Sequence, residues 1–510
     1  MDRARRSEST QLVFGVGTRY WANRLMGFKD GKCSFSQERI WIDEQIRESL
    51  IKNDENLYNY NRVIVYKIDD GYLSIKRLHK SIELVLNKHE IFRTSLEYDL
   101  NENYLKQTIN KFDKDNYSYR LTYLNDNNIE TINKLIYNEE ISTDFDLNKG
   151  KIFRYHLLKQ MNDDNKNTLF KNDYILFIFH HSSIDQYSIY LFLKDLTNAY
   201  QNEKLNSNEN QLRFIDYSQY ERQLDLTNSE EFWINLFSDY NFNHQIKLPY
   251  DNKLNDIIST GSFYAFNIDP SLTRQIFRYK QKLNINLFRL FLSTYYIYLF
   301  KLTQDTDICI TSMAQNRIKQ QLNNIIGPFE NLNVYRHELD PHESFTKFIE
   351  KIQNLTSLIK DNSYYPYQNL ISYTRKYSSI KYPFNQISIR VIIDDYQLNF
   401  DLDKNLILKQ ILFRNHQLFK RDDKLTPFHL TLNIICYLDK QSFEFYFEYS
   451  NKLFEEKTIE LLSQRYIKLL KHLFDVSSNF DLDDEPIYKL SIILPDDERL
   501  MQNINNVNYS

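Results

Sequence analysis

The residues best suited to chemistry are two adjacent imidazoles and a carboxylate, in the run His180-His181-Ser182-Ser183-Ile184-Asp185. A neutral imidazole can accept a proton from, or hydrogen-bond to, an attacking amine or hydroxyl, which is the chemistry of acyl transfer. Two other readings use the same residues. His181 and Asp185 could meet a metal ion across one helical turn, although no local motif supplies a third ligand. Alternatively, both histidines are satisfied polar groups at the end of a strand. The residues alone leave the acyl-transfer and structural readings open.

The elements that must position this run are legible on either side of it. Tyr174-Ile175-Leu176-Phe177-Ile178-Phe179 reads as a buried strand, and Ile189, Phe192, Leu193, Leu196 and Tyr200 mark one face of a following helix. Adjacent side chains of a strand point to opposite faces, so the two histidines share a cavity only if the strand has already ended. One should face a site while the other packs within the lobe. The helix N-terminus carries partial positive charge, which stabilises Asp185 as the anion.

Along the rest of the chain, short apolar runs alternate with helical patterns, which indicates an α/β fold. A strand is expected at 63–66 and another around 92–96. Helices are expected at 74–86 (apolar Ile75, Leu78, Ile82 and Val85), 229–237, 287–300 and 458–474, the third apolar nearly all round and therefore buried. Strands are expected at 307–311 and 443–449. The stretch 201–210 reads as a loop, and the acidic tail after Ser477, with Pro486 and Pro495, also reads as loop.

Composition narrows the function classes. The 510 residues suffice for two or three domains, and an apolar fraction of 42% supplies sizeable cores. With 64 basic and 68 acidic residues interspersed, no nucleic-acid surface is indicated. There are 8 glycines where ordinary usage gives about 36, and Gly15-Val16-Gly17 lacks the third glycine of a dinucleotide fingerprint. No nucleotide cofactor is expected. Cys33, Cys309 and Cys436 are widely separated, without metal spacing, and point to a reducing, cytoplasmic setting. No membrane span is expected, because no run of 18 apolar residues occurs. The first 27 residues lack the clean apolar region of a secretory signal.

Read in order, the segments around the histidines resemble a known family. His180-His181-x-x-x-Asp185 followed by Ser188 resembles the active-site motif of the condensation domains of nonribosomal peptide synthetases, members of the chloramphenicol acetyltransferase-like superfamily. Ser34-Phe35-Ser36-Gln37-Glu38-Arg39-Ile40-Trp41 resembles that family's first motif, and Lys88-His89-Glu90-Ile91-Phe92-Arg93-Thr94 its second. Ile215-Asp216-Tyr217-Ser218-Gln219-Tyr220 with Phe232-Trp233, then Ile326-Gly327-Pro328-Phe329-Glu330-Asn331, then Tyr364-Tyr365-Pro366-Tyr367-Gln368-Asn369-Leu370, are similar to the fourth, fifth and sixth. The resemblance covers about 30–476 in unbroken order.

The resemblance implies two chloramphenicol-acetyltransferase-like lobes in a V arrangement with a central tunnel, preceded by an irregular leader at 1–30. The N-terminal lobe would span 31–215 and the C-terminal lobe 216–476, with 477–510 a linker resembling the start of an adenylation domain. It further implies amide-bond formation between substrates held as phosphopantetheinyl thioesters on donor and acceptor carrier proteins, with no cofactor bound by this chain and an adenylation domain as a further partner. His181 is then the catalytic group and His180 a supporting one. Asp185 is expected to pair with Arg93, with Ser188 beside it, and Gly327 and Asn331 to lie on the tunnel or crossover. The chain departs from the family pattern at Gln186, where glycine is usual, and at Glu330, Leu332, Tyr364 and His429. An ester-forming acyltransferase or a non-catalytic carrier-docking module fits the same motifs. The histidine pair argues against the cyclisation branch. Ala314-Gln315-Asn316-Arg317, lacking the glutamate of the epimerisation branch, argues against that one.

Overall fold

A computed structural model describes residues 28–50, 60–125, 128–161, 165–205, 212–253, 259–380, 382–393, 402–411, 424–475 and 477–508. The leader up to residue 27, with Gly15-Val16-Gly17, and residues 206–210 of the expected loop at 201–210 lie outside the described residues, while 201–202 still belong to the helix Gln186–Asn202. The described chain is mixed α/β and divides into two compact units. The first holds the described residues as far as Asp225, then Arg317–Glu330, then those within 402–411. The second holds the remainder.

The division differs from the expected lobes in two ways. It falls between Asp225 and Leu226 rather than after residue 215, because the helix Phe214–Glu221 buries Phe214 and Tyr217 in the core of the first unit. It is also not contiguous: Leu322, Ile325, Ile326 and Phe329 join that same core although both flanks of their segment belong to the second unit.

The first unit is built on a five-stranded sheet. In spatial order its strands are Ile407–Ile411, Asn61–Asp70, Tyr174–His180, Phe153–Gln160 and Tyr117–Leu124. Tyr174–His180 lies at the centre, antiparallel to both neighbours. Every one of its residues is buried, since both faces of the sheet are covered. Ile175, Phe177 and Phe179 pack with Ile75, Leu78, Ile82, Phe192 and Leu196 of two helices. Leu176 and Ile178 pack on the opposite face with Ile132 and Ile136 of the helix Ile129–Glu140. The alternation of a strand thus decides which face His180 joins.

The second unit carries a seven-stranded sheet in the order Glu330–Glu338, Asp307–Gln315, Ile387–Ile393, Leu430–Tyr437, Ser442–Ser450, Ser259–Phe266 and Lys424–Thr426. The helix Leu287–Thr303 is buried almost all round, as its composition predicts. The helices Ile75–Lys88, Thr227–Leu236 and Glu456–Phe474 also form where periodicity places them.

Two local expectations are corrected. Phe92 and Arg93 end a short 3-10 turn, Glu90–Arg93, and the strand begins at Thr94. The tail is not all loop: Pro495–Asn508 is helical, with proline at its start and Asp496, Asp497 and Glu498 in the first turn, where they complement the helix dipole. Ile487, Leu490 and Ile492 are buried in the core of the second unit.

Gly327 of the returning segment packs directly against Phe214. A Cβ there would land on the ring of Phe214. Gly327→Ala is expected to destabilise the protein by about 1–3 kcal/mol in urea unfolding, through displacement of that ring. A variant as stable as wild type would show that the segment does not pack this closely.

Candidate active site

The central strand ends at His180, and His181–Ser183 forms a single 3-10 turn that breaks the strand's alternation. Asp185 then caps the helix Gln186–Asn202 from an extended conformation, its carboxylate accepting the Ser188 N–H at 2.7 Å. Within six residues the chain passes from strand to turn to helix, and each polar side chain leaves in its own direction.

His180 stays on the inward face. Its Nδ1 meets Ser182 Oγ at 2.8 Å, its Nε2 meets Glu44 Oε1 at 3.2 Å, and Phe145 lies edge-on to its ring at 5.8 Å. Both nitrogens are occupied, so His180 fixes the strand end.

Asp185 is fully buried, and its partner is Arg317. The guanidinium NH2 donates to both carboxylate oxygens at 3.0 Å and to Ser188 Oγ at 2.8 Å, while NH1 donates to the Leu322 and Ile325 carbonyls at 2.6 and 2.8 Å. Arg317 also lies 4.0 Å from the Phe329 ring centroid and 4.7 Å from that of Tyr187. The Phe329 N–H donates to Asp185 at 3.2 Å, and Ser188 Oγ bridges the Gly327 N–H at 3.0 Å and carbonyl at 2.9 Å. Burial pushes the Asp185 carboxyl up most strongly and Glu330 adds to it, against the pull of Arg317 and the Ser188 N–H.

The expected Asp185–Arg93 pair is therefore corrected. Arg93 ends the turn Glu90–Arg93 and, among the described residues, reaches only Glu90, at 3.4 Å, while its covered Nε and NH1 meet no partner there. Burial lowers its proton affinity, and Arg213, which holds Glu90 at 2.9 Å, lowers it further. Arg317 instead arrives on the segment Arg317–Glu330 and occupies both oxygens of Asp185. It stands 132 positions from that carboxylate, and no local spacing could reveal it.

His181 is the group that these contacts leave available. Its backbone N–H donates to the Tyr60 carbonyl at 2.8 Å, and the Tyr60 ring stands edge-on at 6.4 Å. The Tyr60 hydroxyl is tied to Asp43, which Arg47 also holds at 2.5 Å. His181 Nδ1 is covered and has no hydrogen-bond partner. Burial, then the nearby charge of Arg62, lowers the imidazole pKa to about 3; a contact with its own backbone acts the other way and is outweighed. His181 is thus neutral throughout the physiological range.

Gln186 opens the helix. Its side-chain oxygen accepts from Arg62 NH2 at 2.7 Å, and its backbone N–H faces Glu330 Oε1 at 3.5 Å. Asn331 belongs to the second unit, where it holds a bend: Nδ2 donates to the Ser363 and Tyr365 carbonyls at 2.9 and 2.7 Å, and Oδ1 accepts from the Tyr367 N–H at 3.3 Å. The structure thus gathers His180, His181, Asp185, Gln186, Ser188 and Gly327 in the first unit. It adds Arg317, Tyr60, Arg62, Asp43 and Glu44, which lie outside the local motif.

Comparison with known proteins gives this arrangement its family. The model of the condensation domain matches residues 31–490. The chain belongs to the condensation domain family. Bacitracin synthase 1 of Bacillus licheniformis is 26% identical over 483 residues, which cover 90% of this chain and 8% of that protein. The chain therefore spans under a tenth of the length of this curated relative. Among solved structures, holo-AB3403, a four-domain nonribosomal peptide synthetase bound to AMP and glycine, matches with a TM-score of 0.72 and 17% identity, over 92% of this chain and 34% of that one. The X-domain from teicoplanin biosynthesis, in complex with OxyB, matches with a TM-score of 0.71 and 16% identity, over 92% and 97% of the two chains. The fold is that of condensation-domain structures, and no described helix is long and apolar enough to cross a membrane.

Two outcomes are expected at this site. In denaturant unfolding, Arg317→Ala should cost about 3–5 kcal/mol, because Asp185 is left buried and uncompensated. A loss below 1 kcal/mol would contradict the pair. A depressed imidazole pKa also fixes the direction of titration: His181 takes up no proton as pH falls from 8 to 5, and any stability linked to its neutrality declines only between the unfolded value near 6.5 and about 3. Imidazole NMR shifts of His181 should stay flat from pH 5 to 8, and a midpoint near 6.5 would contradict the assignment.

Proposed function

We propose that this chain catalyses amide-bond formation between two substrates carried as phosphopantetheinyl thioesters on donor and acceptor carrier proteins, as one step of nonribosomal peptide synthesis. The observation that carries this reading is the neutral His181 imidazole at the end of the central strand, in a chain of the condensation domain family. The acceptor amine attacks the thioester carbonyl carbon, the new C–N bond forms, the C–S bond breaks, and the proton lost by the amine leaves with the thiol.

His181 acts by hydrogen bonding rather than by holding a full proton, since an imidazole with a pKa of about 3 is a weak base. Nδ1 is the covered nitrogen, so Nε2 is the one that meets the amine. His180 and Asp185 take no part in proton transfer: the first is spent on Ser182 and Glu44, the second on Arg317 and two backbone N–H groups. Carrier domains and an adenylation domain are the partners this role requires.

A second reading, a docking module without turnover, is favoured by the likeness to the X-domain solved in complex with OxyB. One experiment separates the two. Loaded donor and acceptor carrier proteins are mixed with the purified chain, and the acceptor-bound product is followed by mass spectrometry. Amide product is expected, and His181→Ala should slow it by about 100-fold or more, the scale of a lost general acid–base contact. Product formed equally fast by His181→Ala would overturn the assigned role. Carrier binding without product would favour docking, and an ester product would place an alcohol where we place the amine.

A further inference from the structure

On the side of the five-stranded sheet covered by the helix Ile129–Glu140, three polar residues stand where apolar ones would pack. Ile132, Ile136 and Glu139 share one face of that helix, and all three are buried. In the strand Phe153–Gln160, His156 is buried and pairs with Leu176 of the central strand. Thr122 lies on the strand Tyr117–Leu124, two positions beyond Arg120, which pairs with His156, so the two side chains reach the same face. An imidazole and a carboxylate buried here cost more than an apolar pair unless both are well bonded.

The bonds run in one line from carboxylate to hydroxyl. Glu139 Oε1 meets His156 Nδ1 at 2.8 Å, and His156 Nε2 meets Thr122 Oγ1 at 2.7 Å. Burial pushes the Glu139 carboxyl up, but the bond to His156 and the charges of Arg154 and Arg120 outweigh it and hold the group below its ordinary value. An ionised carboxylate only accepts, so the neutral ring carries its proton on Nδ1. Nε2 then offers a lone pair, and the Thr122 hydroxyl donates to it. That is the order of orienting carboxylate, general base and hydroxyl nucleophile.

The surroundings suit that role. Arg154 fixes the carboxylate from behind: its NH2 holds Oε2 at 3.0 Å and the Glu139 carbonyl at 2.8 Å. Arg120 stands 3.3 Å from Oε1 with a side chain 61% exposed. It places a positive charge two positions from the hydroxyl on the same face, on the side where a carbonyl oxygen would gather negative charge. His156 and Glu139 are sealed, whereas Thr122 is half-buried. Among the described strands Tyr117–Leu124 is an edge of its sheet, so no further strand of that sheet lies over the outer side of Thr122.

We propose that Thr122, His156 and Glu139 form a second acyl-transfer site, in which Thr122 is acylated by an ester or thioester and the acyl group is then released to water. Thr122 Oγ1 attacks the carbonyl carbon and passes its proton to His156 Nε2. The new C–O bond forms, the bond to the leaving oxygen or sulfur breaks, and that group departs with the proton. Water then gives a proton to the same nitrogen and attacks the acyl-threonine. The Oγ1–C bond breaks, Thr122 recovers the proton, and the free acid leaves. The net reaction is hydrolysis. It uses none of the residues assigned to amide formation and goes beyond that reading without depending on it.

The full chain is treated at neutral pH with diethyl 4-nitrophenyl phosphate, whose phosphoryl group stays on an activated hydroxyl, and the modified peptide is located by mass spectrometry. Hydrolysis of 4-nitrophenyl acetate is followed in parallel, as the rate above that of the urea-unfolded chain. A diethylphosphoryl group on Thr122 is expected, with release of 4-nitrophenolate. Thr122→Ala should lose the adduct and slow ester hydrolysis by about 100-fold, the scale of a lost nucleophile–base contact. Thr122→Val keeps the branched shape and serves if Thr122→Ala does not fold, and Thr122→Ser should keep both adduct and hydrolysis. Glu139→Gln should lower kcat with KM unchanged, as an orienting group requires. Absence of an adduct on Thr122, or hydrolysis by Thr122→Val as fast as by wild type, would overturn the site, since the hydroxyl would then only satisfy a buried histidine. A Thr122→Ser variant no more reactive than Thr122→Val, or an unchanged kcat in Glu139→Gln, would overturn it as well.

Discussion

The buried pair of Asp185 and Arg317 is the interaction on which the candidate site depends. A carboxylate with no exposed surface is tolerated only when its oxygens are fully satisfied, and here they accept from one guanidinium and two backbone N–H groups. The same guanidinium ties off the Leu322 and Ile325 carbonyls and lies against Phe329. One ion pair therefore caps the helix that follows the histidines and fastens a distant segment onto the first unit. Ser188 repeats the link on a smaller scale by bonding both polar groups of Gly327.

That fastening gives the two histidines different roles. The strand ends at His180, whose two nitrogens are absorbed by Ser182 and Glu44. The turn beginning at His181 swings the next ring out of register, and the Tyr60 carbonyl fixes its backbone. With Asp185 committed to Arg317, no carboxylate among the described residues hydrogen-bonds to the His181 ring, and burial keeps it neutral. The fold thus supplies a buried, uncharged imidazole at the end of the central strand.

Much of this was legible in the sequence, and the limits have physical causes. The central strand and its flanking helices show because burial on both faces forces a continuous apolar run, and amphipathic helices repeat at a fixed interval. Asp185 as a helix cap follows from its place before the apolar periodicity. Long-range partnership does not show in that way. Arg93 and Arg317 are equally arginine, and only the path of the segment Arg317–Glu330 decides which reaches Asp185. The boundary between units was misplaced for the same reason: periodicity locates the helix Phe214–Glu221 but not the core that Phe214 enters. Tyr60 and Arg62 were missed because they act through a strand-pairing register that is set by the whole sheet. The ordered family motifs added what periodicity could not, the common setting of segments far apart in the chain.

The account makes the Asp185–Arg317 pair a local fastener, and backbone hydrogen exchange on Asp185→Asn tests that claim most directly. Asparagine keeps the shape and the helix cap but removes the charge that holds Arg317. The account predicts faster exchange at Gly327 and Phe329, whose N–H groups bond to Ser188 and Asp185, with the amides of Leu430–Tyr437 in the second unit unchanged. Exchange at Gly327 and Phe329 no faster than in wild type would contradict it, as would a uniform rise across both units.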